Sequence, residues 1–189
     1  MVQQGWCALD VETTGLHPER GDRVIEVGIW SKTYGVWQTL VKPGVPIPKS
    51  VTQVHGIDGH LLVGAPQFSD ILEEFASLLE GQVIVGHNVC FDLRCLHFEF
   101  ARAGKRLPAV SYVDSIELGE QAGLGRQRLS RLASLLGVEA RGESHRAGCD
   151  AALVGECVEH LLAQLGHRHI QDIGCTPFRY TGLPLRGLA

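Results

Sequence analysis

Apolar and polar residues change rhythm several times along the chain, and each change marks an element. Trp6-Cys7-Ala8-Leu9 opens a strand over 5–11, and a second apolar run, Val24 to Trp30, predicts another. Tyr34 to Val41 completes an antiparallel hairpin with it, beside the first strand. Pro43, Gly44, Pro46 and Pro48 then exclude helix or central strand. A short helix is expected over 50–56, with Ser50 as its cap and Gly56 as its stop. Ile71, Leu72, Phe75, Leu78 and Leu79 recur at helical spacing after Ser69, a plausible N-cap. Gln82 to Gly86 is a short apolar strand, Asp92 to Ala103 a helix, and Ala109 to Val113 a fifth strand. Leu129, Leu132, Leu135 and Leu136 mark a helix closed by Gly137. His145 to Leu165 carries the last and longest helical pattern. Strands first, then alternating helix and strand, imply an α/β domain with a mixed sheet and helices packed on it. The expected division is a domain over 1–165 and an irregular tail over 166–189, where Pro177, Pro184 and several glycines cluster.

Composition narrows the class. The 189 residues suit one domain, and 44% hydrophobic with 20% charged residues is ordinary for a globular protein. No run approaches the ~18 apolar residues of a membrane span, and no basic-then-apolar leader opens the chain. The six cysteines form no C-x-x-C pair, so a reduced, cytoplasmic protein is expected, without a disulfide framework or membrane partner. Net charge is −4, which argues against general adhesion to nucleic acid. The charge is uneven: residues 1–93 carry −6, 94–146 carry +3 and 147–189 carry −1. Arg102, Lys105, Arg106, Arg126, Arg128 and Arg131 in the middle segment are either a phosphate-contacting surface or solvated helix faces.

Three stretches carry candidate chemistry. In Asp10-Val11-Glu12-Thr13-Thr14-Gly15, strand alternation points Asp10 and Glu12 the same way beside apolar neighbours. Burying two like charges costs several kcal/mol unless a cation sits between them, and hard divalent ions with oxygen ligands meet that need. Alone, the same letters also describe a strand end with two solvated acids. His87-Asn88-Val89-Cys90-Phe91-Asp92 follows a strand and places an acid at a helix start, where the macrodipole favours it. His145 and Asp150 are five apart, ~140° around a regular helix. They share a cleft only if His145 stands at or before the helix start. Four acids at element ends with one histidine match what two-metal phosphodiester hydrolysis requires, with histidine as a base titrating near neutral pH.

The three blocks, in this order, resemble the DEDD superfamily of 3′–5′ exonucleases in its histidine subtype. That family includes the proofreading subunit of bacterial replicative polymerases, oligoribonuclease and ribonuclease T. The resemblance covers residues 5 to about 165, and Val54-His55-Gly56-Ile57 is similar to a further family segment. It implies a ribonuclease-H-like fold with a five-strand mixed sheet flanked by helices. It also implies two Mg²⁺ or Mn²⁺ ions held by Asp10, Glu12, Asp92 and Asp150, with His145 as general base. Thr13, Thr14, Gly15, Val54, His55 and Phe91 would line the terminal nucleotide. Activity would then fall below roughly pH 6.5, the ordinary histidine value. The implied substrate is a single-stranded 3′ end, and a DNA polymerase subunit is a candidate partner. Thr13 stands where oligoribonuclease-like members commonly carry methionine, which favours DNA over RNA. Two other readings stay open: a binding module without catalysis, and a zinc site among Cys157, His160, His167, His169 and Cys175, whose spacing fits no common finger.

Overall fold

The computed structural model describes residues 5–142 and 144–181. Six strands form one mixed sheet: β1 (Trp6–Thr13), β2 (Val24–Ser31), β3 (Gly35–Leu40), β4 (Val83–Gly86), β5 (Ser111–Asp114) and β6 (Thr176–Pro177). Their spatial order is β3-β2-β1-β4-β5-β6. The hairpin β2–β3 and the pair β1–β2 are antiparallel, while β1, β4 and β5 run parallel. Parallel neighbours need crossovers, and the helices supply them. These are α1 (Lys49–His55), α2 (Phe68–Leu79), α3 (Val89–Arg102), α4 (Ser115–Gln121), α5 (Leu129–Leu136) and α6 (Ala147–Gln164).

The sheet is buried on both faces. Cys7, Leu9 and Val11 of β1 pack with Phe68, Phe75, Leu93, Leu96 and Phe100 of α2 and α3. Ala8 packs on the opposite face with Val154, Val158 and Leu161 of α6. Alternation along β1 therefore sends Asp10 and Glu12 to the α6 face. Helix α6 lies directly on β2 because a glycine on each element makes room for the other. A Cβ at Gly28 would collide with the Ala147 backbone, and one at Gly155 with the Trp30 ring. Gly28 is also the register partner of Asp10, so the first turn of α6 is brought down beside that acid.

Several expectations are corrected. The sheet has six strands, not five. The sixth comes from the stretch expected to be irregular: Ile170 is buried in the core, and Thr176 and Pro177 pair with Tyr112 and Ser111 at the sheet edge. Residues 182–189 of that tail lie outside the described residues. Ser50 caps nothing, since α1 starts a residue earlier behind Pro48. Ser69 lies inside α2, which Gln67 and Asp70 close with a reciprocal capping box. Helix α3 begins at Val89 and α6 at Ala147, so Asp92 lies within the first turn and His145 outside the helix. Helix α4 was not expected at all. No helix among the described residues is long and apolar enough to cross a membrane.

Candidate active site

Two backbone kinks deliver the acids of the helices. Among the described residues only Asn88 (φ 67°) and His145 (φ 60°) are non-glycine residues in the left-handed region. Each stands just ahead of a helix carrying a candidate acid, and such strain persists only where its surroundings hold it. Asp114 holds the first: its carboxylate accepts from Asn88 N (3.1 Å), Val89 N (3.0 Å) and Ile116 N (2.9 Å), tying the starts of α3 and α4 together. Asp150 holds the second by accepting from the His145 backbone N–H at 3.1 Å.

Asp92 is buried, and its Oδ1 accepts from Val11 N at 3.0 Å, between Asp10 and Glu12. The register of β1 against β2 shifts between Glu12 and Thr13. Such bulges re-aim side chains where a strand leaves the sheet. Ligand atoms of Glu12, His145 and Asp150 all lie within 4.8 Å of one another. All five candidate catalytic residues thus meet at one end of β1.

The electrostatics are those of crowded carboxylates. Burial, reinforced by Asp92, Glu12, Asp150 and Glu26, pushes Asp10 well above the usual carboxylate range. Burial, with Asp150, Glu26 and Asp92 nearby, raises Glu12 to about 8, against a weaker opposing pull from Arg146. Burial raises Asp92 to about 8 despite its backbone hydrogen bond from Val11. Asp150 is also raised by burial. The one guanidinium at the cluster is committed elsewhere. Arg146 grips the buried Glu26 bidentately, Nη2 to Oε1 at 2.7 Å and Nε to Oε2 at 3.2 Å, and Ala147 N donates to the same carboxylate at 2.9 Å. An oxygen-rich cluster raised by mutual repulsion fits hard divalent cations. Among the described residues it is the only cluster of three or more potential ligands. Cys157 is fully buried and His160 donates to the Glu156 carbonyl, so the zinc constellation is not assembled.

The residues expected to contact substrate sit as follows. Thr14 is buried, its hydroxyl accepting from Arg23 N at 2.9 Å, and the Thr13 hydroxyl donates to the Gly15 carbonyl at 2.7 Å. His55 is buried at the end of α1, near Thr13, Glu26 and His145, and its burial lowers its pKa. Its Nδ1 accepts from Ile57 N at 3.0 Å, which leaves the buried Nε2 without a partner among the described residues. Val54 is 56% exposed. Phe91 is half-buried with the Arg94 guanidinium over its ring.

Three further residues support the site. Glu26 stands in the apolar run of β2, where a lone acid signals a buried charge in need of a partner. Asp114 opens Asp114-x-x-Glu117, a helix-start signature that marks α4. His87, in the block that opens α3, is a clamp: Nδ1 accepts from the Ser115 hydroxyl at 2.8 Å and Nε2–H donates to the Gln127 carbonyl at 3.0 Å.

Fold and acid cluster together define a DEDDh-type exonuclease with a ribonuclease-H-like core. The match to known proteins agrees: residues 7–157 fit the family model RNase_T, described as an exonuclease, and the chain belongs to that family. It is 33% identical over 176 residues to the DNA polymerase III subunit epsilon of Treponema pallidum (strain Nichols), covering 89% of this chain and 80% of that one. It is 30% identical to the 3′-5′ exonuclease DinG of Bacillus subtilis (strain 168), of which it spans only 18%. Among solved structures, the nuclease domain of 3′hExo, a DEDDh family member bound to rAMP, superposes with a TM-score of 0.72 at 15% identity, covering 87% of this chain and 94% of that one. Pop2p of S. pombe with Mg²⁺ and Mn²⁺ gives 0.73 at 13% identity, covering 91% and 88%. At those identities the likeness concerns the fold.

Proposed function

We propose that the chain removes nucleoside 5′-monophosphates from the 3′ end of single-stranded DNA by a two-metal mechanism. The observation that carries this reading is the meeting of Glu12, His145 and Asp150 beside the buried Asp10 and Asp92. Asp10, Glu12, Asp92 and Asp150 would hold the two Mg²⁺ or Mn²⁺ ions. When bound, these ions would offset the carboxylates, lower the pKa of water and stabilise the leaving oxygen.

The protein's own groups do the rest. The left-handed turn at His145 frees its ring from α6, so a ring nitrogen can take the proton of the attacking water. The water oxygen bonds to the terminal phosphorus, the bond to the upstream 3′ oxygen breaks, and a proton from solvent restores that hydroxyl. Thr13, Thr14 and Gly15 lie along the terminal nucleotide, with Thr14 held by its two bonds to the Arg23 backbone. Val54, Phe91 and the unpartnered Nε2 of His55 face its sugar and base.

DNA rather than RNA is supported by Thr13 after Glu12 and by the similarity to a polymerase III epsilon subunit and to DinG. The first of these similarities also supports a DNA polymerase subunit as partner, in the cytoplasm. The test is product analysis on end-labelled DNA and RNA of matched sequence, with Mg²⁺, Mn²⁺ or chelator, beside Asp10→Ala. Mononucleotides released stepwise from the 3′ end of DNA, and lost in chelator and in D10A, are expected. Faster release from RNA would replace the substrate, and binding without release under every metal would leave only a binding module.

A further inference from the structure

The basic residues of 94–146 do not form one surface. Arg102 is bound to Glu99, Lys105 to Glu73 and Arg126 to Glu120. The Arg128 side chain makes no hydrogen bond or ion pair with any described residue, and it lines a cavity of about 440 Å³ that His145 and Asp150 line as well. Leu129, Val138 and Leu153 form its apolar wall. A concavity of this size suits a small ligand. Its lining thus brings together His145, Asp150 and a free guanidinium with apolar and serine side chains.

The loop that presents Arg128 is fixed. His87 donates to the Gln127 carbonyl from the turn that opens α3, and the Gln127 side-chain amide donates to the Leu124 carbonyl at 2.8 Å. The backbone ahead of Arg128 is therefore anchored to the same turn that places Asp92.

We infer that this cavity is the subsite for the nucleotide on the 5′ side of the scissile bond, with Arg128 pairing to that nucleotide's own 5′ phosphate. The inference rests on the proposed nuclease function. The upstream sugar and base lie against Leu129, Val138 and Leu153, and the planar guanidinium meets the next phosphate along. Arg128 is thus a binding residue that rewards a chain over a single esterified nucleotide, and His87 is a positioning residue acting through the Gln127 carbonyl.

Two dinucleotides test this, one carrying a 5′ phosphate on its upstream nucleotide and one lacking it, each with Mn²⁺. The native protein should cleave the phosphorylated one with kcat/KM about tenfold higher, the size of one charge-assisted contact. Arg128→Gln should bring that ratio close to one, while Arg131→Gln, outside the cavity, should keep it. On longer single strands the dependence of log KM on log salt should lose about 0.7 of its slope in R128Q, the share of one phosphate. A ratio near one in the native protein, or one that survives R128Q, overturns the inference. Hydrolysis of the p-nitrophenyl ester of thymidine 5′-monophosphate by the native protein separates the two levels. If that ester and both dinucleotides remain intact, the nuclease reading itself has failed, and the subsite with it.

Discussion

Replacing Glu12 by Gln should stabilise the metal-free protein at alkaline pH while destroying its activity. Glu12 sits at about 8 in the fold, against an ordinary value near 4.3 in an unfolded chain. A carboxyl raised in this way stabilises the fold fully below about pH 4, and that contribution is lost as pH climbs towards 8. At 1.36 kcal/mol per pH unit, ionising Glu12 in place costs roughly 5 kcal/mol at pH 8. The glutamine amide must still be desolvated, so about 2–3 kcal/mol is the expected gain. For a domain of this size that is roughly 4–12 °C in Tm. The assay is thermal unfolding of both proteins in chelator at pH 4.5 and pH 8. His55, His87 and His97, all held low by burial, titrate the opposite way and destabilise both proteins equally on the acid side. The difference between variant and parent therefore reports Glu12 together with the share of the Asp10 shift that Glu12 causes. It should be near zero at pH 4.5 and several degrees in favour of E12Q at pH 8. Saturating Mn²⁺ should reverse the order by stabilising the parent more. A difference that does not change with pH would refute the picture of an acid cluster held against its own repulsion.

Other outcomes follow from the same contacts. Glu26→Gln leaves the Arg146 charge without its buried carboxylate partner. It should cost about 3–5 kcal/mol by chemical denaturation and loosen the start of α6. Gly28→Ala forces α6 away from β2 beside Asp10, so unfolding midpoint and nuclease rate should fall together; a loss of stability with full activity would uncouple them. His145→Asn should lower the rate by about 10²–10⁴-fold and leave Mn²⁺ affinity within a few-fold of the parent, because the carboxylates remain. Asp114→Ala removes the cap shared by α3 and α4, for about 1–2 kcal/mol measured by urea unfolding.

The parts of this site that depend on local pattern were legible in the chain. Alternation alone places Asp10 and Glu12 on one face, and the apolar run before them fixes the strand. The order of the three blocks brought in Asp92 and Asp150, because each acid follows an element boundary that glycine, asparagine or histidine can mark. The parts that depend on distant pairing were not legible. Glu26 and Arg146 are 120 residues apart, and nothing local says which cation a buried acid will meet. Helix α4 is short and owes its start to Asp114, whose carboxylate serves two helices at once. The β6 pairing joins segments more than sixty residues apart and needs only two residues, too few to leave an alternating pattern. Helix ends shift for a related reason: Asn88 and His145 tolerate the left-handed region, but Asn88 is held there by Asp114, 26 residues on, which no local pattern reveals.

Manganese titration followed by electron paramagnetic resonance, in the presence of a nucleoside 5′-monophosphate, bears most directly on the central claim. Two ions per chain, close enough for their spins to couple, are expected, with the coupled signal lost in Asp10→Asn. One isolated ion, or two that persist unchanged in D10N, would contradict an acid cluster built around a pair of cations.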